Sequence, residues 1–488
     1  LSSSSSGIDH VWSWDSVADA GTINGYVFFR MRPLDEKLEV GEWDYMETKF
    51  HLDNYTIFTD PDAQLPAPTA LGQAVLLEDT SVLFLGGLIN DTPSPRVSIF
   101  YPGLSQTTKG TVAEVAPGMN AARVEFTATR LTDGMVLITG GRDAGGTILN
   151  TAEIYDPVGR TFKLLTARMV APRKNHCATL LRGGRVLFTG GENNDGILGS
   201  AEIFDPNTGV FTDAGSLVVA RHSAQAVRLP AGRVLIAGGT GASGALQSVE
   251  IYDPLASTFL ATDTVNDMAK MRAGLSLTDT TSDPIAAVAA GGTDGTDAHD
   301  SIERFDWESD EFSASAVMMQ QRRTDHIGVL LGSGHILFAG GLVNGTLAAT
   351  GDIYDVVNDT VDTPNGDMLL PVHSAAVSCL ENGRPVIFGG YDAAGVETAQ
   401  LQVFTPDGGF NYPPIAQINT PTSVEPWAFG VRFNWRATDQ EGDTVKINAQ
   451  FRIKPSVTDD SDVLPTELLD VWLPASMKDK TVLGEVSS

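Results

Sequence analysis

The sequence predicts an all-β chain, and three observations carry that prediction. Glycine is abundant, at 50 of 488 residues, as a chain with many tight turns requires. Few segments show helical periodicity, while apolar runs of strand length recur between turn residues. Seven of those runs end in a glycine pair: SVLFLGG at Gly87, MVLITGG at Gly141, RVLFTGG at Gly191, RVLIAGG at Gly239, AAVAAGG at Gly292, HILFAGG at Gly341 and RPVIFGG at Gly390. Successive spacings are 54, 50, 48, 53, 49 and 49 residues, a period typical of repeat architectures.

Two further elements keep register with the glycine pairs. An aromatic residue follows at 13 or 14 positions: Phe100, Tyr155, Phe204, Tyr252, Phe305, Tyr354 and Phe404. An acidic residue often stands two positions earlier, as in Glu153, Glu202, Glu250, Glu303 and Asp352. A second aromatic comes five to seven residues later: Phe162, Phe211, Phe259, Phe312 and Phe410, with Val361 in the sixth repeat. The third repeat reads as four strands: HCATLL, RVLFTGG, SAEIFDP and VFTDAG, joined by turn-forming residues. Such a meander is apolar on both faces and unstable alone. Radial stacking of seven buries both faces.

This pattern resembles the kelch repeat, in which a double glycine ends an apolar strand and an acidic residue, a Tyr and a bulky aromatic follow. Phe here takes the place of the usual Trp. The resemblance covers about residues 65–412 and implies a seven-bladed β-propeller. Residues 1–7 read as a Ser-rich linker and residues 8–60 as a β-rich, sandwich-like segment. Residues 413–488 open on a proline-rich joint and resemble an immunoglobulin-like or fibronectin-III-like module around Trp435. All seven repeats read as supplying four strands of their own, so exchange of a terminal strand, which would remove an exposed edge, is possible but not required to close the ring.

The charge balance is 32 basic to 61 acidic residues, a formal −29. That argues against nucleic acid and anionic bilayers as partners, and no apolar run is long enough to span a membrane as a helix. The acidic excess, scarce Lys and serine leader resemble a mature exported protein, of the kind that follows a lipidated cysteine. Extracellular, cell-surface or periplasmic placement is the expectation. Cys177 and Cys379 lie on different repeats and read as separate buried thiols.

Cations gather before each first strand: Arg173, His176, Arg221, His222, Arg322, Arg323, His326 and His373. Two readings stand. They form a basic funnel for a carboxylate or sulfated sugar, or they pair with nearby carboxylates and lock the blades. Recurrence in most repeats favours the second, which places Arg173, Arg221 and Arg322 in reach of loop carboxylates from neighbouring blades. Asp294, Asp297 and Asp300 share one loop, and Asp439, Glu441 and Asp443 share a turn. Calcium, which takes six to eight oxygens, is the ion such sets would suit. No catalytic motif is present, so catalytic residues are not assigned. A copper site like that of galactose oxidase would want a His late in the chain, and none follows His373. The expected role is a binding or scaffold protein contacting protein or glycan, as an oligomer or part of a larger surface or filamentous assembly. The alternative is a carbohydrate-active enzyme or sugar-binding protein working at the channel mouth.

Overall fold

The computed structural model describes residues 57–405 with short breaks at 62, 103–109, 261–266, 281, 283, 365 and 381–382, and a few strands in the flanks. Two compact units are distinguished, one of residues 1–22 and 54–410, the other of residues 23–53 and 411–488. In the second unit, the backbone pairs Asn24–Val27 with Phe50–Asp53 and Ile415–Asn419 with Asn434–Thr438, both antiparallel.

The first unit is a seven-bladed β-propeller. Blade one comprises strands Gln73–Leu76, Val82–Leu85, Val97–Tyr101 and Thr111–Glu114. Blade two comprises Thr127–Arg130, Val136–Thr139, Thr151–Asp156 and Thr161–Arg168. Blade three comprises Cys177–Leu180, Val186–Thr189, Ser200–Asp205 and Val210–Ser216. Blades four, five and six repeat the meander from Gln225–Arg228, Ala273–Asp279 and Ile327–Leu330. Blade seven contains Ala376–Cys379, Pro385–Phe388 and Thr398–Thr405. The first strands of successive blades are neighbours all round the ring, so they line the channel.

Sequence pattern follows position in the blade. The second strands, such as VLFL, VLIT and ILFA, are buried at every residue. A strand covered on both faces reads as a continuous apolar run. The outermost strand of blade two, Thr161–Arg168, is covered only at intervals. It carries the second aromatic of the repeat, which packs on the first. Ring centroids are 4.7 Å apart for Tyr155–Phe162, 4.8 Å for Phe204–Phe211 and 5.0 Å for both Tyr252–Phe259 and Phe305–Phe312.

Blade seven departs from the expectation drawn for it. Its fourth strand is Ile57–Thr59, from the amino-terminal side, paired antiparallel with the end of Thr398–Thr405. Phe58 lies 4.9 Å from Phe404, in the place taken elsewhere by the second aromatic. Phe410, expected there, lies outside the described residues. The propeller therefore starts at residue 57, inside the segment assigned to the amino-terminal flank, and an early strand closes the ring. The physical reason is the sheet edge: without that strand, Thr398–Thr405 would expose unpaired backbone groups.

The glycine pairs join the blades. The second glycine of each pair donates its N–H to the carbonyl of a residue leading into the next blade. The acceptors are Arg123, Arg173, Arg221, Arg272, Arg323, Val372 and, closing the circle, Thr69, at 2.8–3.0 Å. The first glycine must lack a side chain. Gly86 has φ +56°, and a Cβ there would stand 2.8 Å from the Arg123 carbonyl.

Candidate functional site

The cations before the first strands divide into buried and accessible groups. Arg123, Arg173, Arg221, Arg272 and Arg323 are fully buried. Arg173 shows the shared geometry. Its guanidinium donates to Gly190 O (2.7 Å), Ser200 O (3.0 Å), Ser200 Oγ (3.1 Å) and Glu202 Oε1 (2.6 Å). Glu202 also accepts from the backbone N–H groups of Val170 and Ala171 (2.7 and 3.1 Å). The linker arriving from blade two is thereby clasped to the third strand of blade three. The same ion pair recurs as Arg123–Glu153 (2.9 Å), Arg221–Glu250 (3.0 Å), Arg272–Glu303 (2.8 Å) and Arg323–Asp352 (2.7 Å). Burial lowers the pKa of each Arg, and the facing carboxylate opposes that shift. Burial likewise raises the carboxyl of Asp352, against its bonds to Gln320 and Arg323.

His176 and His326 are also interior. Nε2 of His176 lies 3.0 Å from Thr127 Oγ1 of the preceding blade, and Nε2 of His326 lies 3.0 Å from Ser276 Oγ. Burial, reinforced by the adjacent Arg, pushes both rings down to about 3, so both are neutral. Arg173, Arg221, Arg323, His176 and His326, read from the sequence either as a ligand funnel or, as recurrence favoured, as locks paired with carboxylates, are enclosed by the fold, and the three Arg are paired with carboxylates. The carboxylates facing Arg173 and Arg221 sit on third strands of their own blades, where loops of neighbouring blades were expected. Arg322 is exposed and faces Asp300 of the blade-five loop at 3.6 Å, and the buried position is that of Arg323. His222 and His373 are half-buried at the surface.

The acidic loop residues do not converge. Asp294 accepts from the backbone N–H groups of Thr296 and Asp297, both at 2.8 Å, and Asp300 turns to Arg322. Among the described residues no three His, Cys, Asp or Glu lie together so as to hold a metal ion, so the calcium assignment to Asp294, Asp297 and Asp300 is not supported by the geometry. Asp439, Glu441 and Asp443 lie outside the described residues. Both cysteines are free thiols. Cys177 is buried, but Cys379 is only half-buried, which corrects the expectation for it.

Accessible chemistry collects at the channel mouth beside the glycine pairs. Two residues after each clasp position, the chain turns through the left-handed region to enter the first strand. The seven residues are Leu71 (φ 57°), Glu125 (60°), Asn175 (52°), Ser223 (51°), Gly274 (62°), Asp325 (53°) and Ser374 (52°). Neighbours in this ring are hydrogen-bonded backbone to backbone, as in Asn175 N–H to Glu125 O (2.9 Å) and Leu71 N–H to Ser374 O (3.1 Å). The backbone is sevenfold, but the side chains are not. Lys174 bridges Glu125 (3.2 Å) and Glu192 (3.3 Å), with Arg142 3.3 Å from Glu125. Across the ring, His373 stacks on Tyr391 at 5.3 Å and sits 3.0 Å from Ser374 Oγ. Blade five offers no side chain at Gly274, and the Asp325 carboxylate packs against it. Asp325 is open to solvent through the mouth yet walled by protein, and that burial raises its carboxyl, against Thr324 and His373.

Residues 127–167, which run from the first strand of blade two into its fourth, match the Kelch motif. Blade two thus carries a Kelch motif. No curated protein matches the chain. The solved structure titled "Structure of YjhT" is similar over 62% of this chain and 99% of that one, with 16% sequence identity and a TM-score of 0.46.

The kelch acid was visible in the sequence, but not its partnership with Arg. A signal was available within the seven repeats. Where the acid is absent, at Ser98 and Gln402, the Arg is absent too, replaced by Thr69 and Val372. The mouth residues Glu125, Asn175, Ser223, Asp325 and Ser374 gave no such signal, because their chemistry differs from blade to blade.

Proposed function

We propose that this propeller is a binding scaffold that takes a protein or glycan partner at the channel mouth beside the glycine pairs. One observation carries the reading: six of the seven left-handed ring positions hold residues other than glycine. Each such residue is held about 1 kcal/mol above the relaxed choice. Left-handed strain of this kind directs attention to the side chain being placed, and here those side chains are acid, amide, hydroxyl and apolar in one unequal ring. A ligand surface needs such inequality, while the clasps beneath it are nearly uniform. Placement outside the cell belongs to the same proposal, and the −29 charge with scarce Lys supports it.

A sugar as the partner has its own support. The His373–Tyr391 stack beside Asp325 and Ser374 combines an aromatic face with hydroxyl-binding groups.

The test uses the protein as bait in material from its source, followed by cross-linking of what it retains. The partner's contacts are expected to map to the mouth, and Asn175→Arg with Ser223→Arg is expected to abolish retention in a protein that circular dichroism shows to be folded. Retention unchanged in that variant, or contacts mapped to the outermost strands, would refute the assignment.

A further inference from the structure

The opposite mouth of the channel has its own chemistry, independent of the role proposed above. The first strands end there in a second ring, one residue per blade: Leu76, Arg130, Leu180, Arg228, Asp279, Leu330 and Cys379. The members touch across blades. Arg130 donates to Leu76 O (3.0 Å), Arg228 to Leu180 O (3.3 Å), and the Cys379 thiol to Leu330 O (3.5 Å). Each Arg thus uses one N–H group on the neighbouring blade. Both Arg are exposed to solvent.

A third guanidinium joins them. Arg182, in the turn after Leu180, lies over blade four, where its Cδ would stand 3.0 Å from a Cβ at Gly232. Arg182 is exposed as well. Among the described residues, Arg130, Arg182 and Arg228 form no ion pair within 4 Å. That is notable in a chain with almost twice as many acids as bases. The five buried Arg all have carboxylate partners, and these three, on successive blades round one opening, do not.

We propose that this mouth binds a peptide segment in which carboxylate side chains alternate with apolar ones. The forks of Arg130, Arg182 and Arg228 supply paired donors for carboxylates. The half-exposed Leu76, Leu180 and Leu330 stand between and beside them and supply apolar contact. Asp279, within the electrostatic reach of Arg228, disfavours a densely charged polyanion and tolerates a mixed peptide. A sulfated glycan matches the arginines but leaves the leucines without partners.

The experiment is fluorescence polarisation on the full chain with labelled peptides of alternating leucine and glutamate, and of alternating leucine and glutamine. An unlabelled sulfated oligosaccharide serves as competitor. The glutamate peptide is expected to bind, and its glutamine counterpart to bind at least about tenfold more weakly, the scale of a hydrogen bond to a charged group. Arg182→Gln, which breaks no described hydrogen bond, is expected to weaken binding by a similar factor. Arg130→Gln with Arg228→Gln is expected to abolish it, while Lys163→Gln on an outer strand leaves it unchanged. Circular dichroism separates loss of binding from loss of fold. Equal binding of both peptides, no effect of Arg182→Gln in a folded protein, or displacement by the sulfated sugar at lower concentration than by unlabelled peptide would each overturn the proposal. None of these outcomes depends on the partner of the opposite mouth.

Discussion

Replacing Glu202 by Gln tests whether the buried clasps hold the propeller together as charge pairs. In the native protein Arg173 is fully buried, with four hydrogen bonds, and its charge is balanced by Glu202 alone at 2.6 Å. The substitution keeps the shape and removes the counter-charge. A buried charge stripped of its partner costs about 3–5 kcal/mol. Over the roughly 350 residues of the propeller, an unfolding entropy of about 2.1 cal/mol/K per residue makes that a fall of about 4–7 °C in Tm. Arg173→Val is expected to cost a similar amount, because Glu202 is then the unpaired charge. The informative variant combines both changes and reproduces blade seven, where Val372 and Gln402 occupy these positions. There Gln402 accepts from Leu370 N–H (3.1 Å) and donates to Leu370 O (2.7 Å), without any charge. The double variant is expected to be no less stable than either single one. Urea unfolding of the four proteins closes the cycle. Costs that add within about 0.5 kcal/mol would refute the reasoning, since residues so far coupled should not behave independently.

The buried histidines give the fold an acid sensitivity. Their folded pKa of about 3 lies below the ordinary 6.5, so the unfolded chain binds protons the native state refuses. Their contribution is complete above pH 6.5 and is lost as pH falls toward 3, at about 1.4 kcal/mol per pH unit for each ring. His176→Phe and His326→Phe, which copy Phe126 at the equivalent site of blade two, are each expected to flatten the stability–pH slope between pH 6 and 4 by that amount. An unchanged slope by urea titration at several pH values would refute the burial argument. For the closing strand, Phe58→Ala is expected to cost about 3–5 kcal/mol and to raise hydrogen exchange in Thr398–Thr405 before any other third strand. Uniform exchange across the blades would show that the ring is not closed there.

Much of this architecture was legible in the sequence because the fold reuses one solution seven times. The glycine pairs had to recur, since a backbone carbonyl occupies the space a side chain would fill. The buried second strands had to be apolar throughout. The closing strand was not legible for the opposite reason: Ile57–Thr59 is three residues long, 344 positions in sequence from its partner at Thr59–Val403, and carries no glycine pair to announce it. Phe410 stood at the right spacing and was the natural candidate. The clasp cations were legible as paired locks from their recurrence, but not their partners: loop carboxylates were expected, and the acids of the third strands are the ones they meet. Arg130, Arg182 and Arg228 drew no attention because they have no counterparts in most repeats.

The absence of the clasp from two adjacent blades has a structural cause. In blades two to six the linker before the first strand has no sheet to join, and the Arg–acid pair fixes it. Before blade one the corresponding chain is itself a strand, Gln64–Thr69, paired with Thr398–Thr405 through Thr69–Thr398 and Gln64–Gln400. That pairing already holds the chain at both ends of the strand, so a buried charge at Thr69 would add desolvation without a linker to hold. In blade seven a neutral Gln402 performs the linker's two hydrogen bonds, and Val372 fills the space. Both blades meet at the seam where the chain enters and leaves, with Ile57 opposite Thr405. The seam therefore rests on backbone pairing and on the Phe58–Phe404 contact, and it is the joint at which the propeller should open first under denaturant.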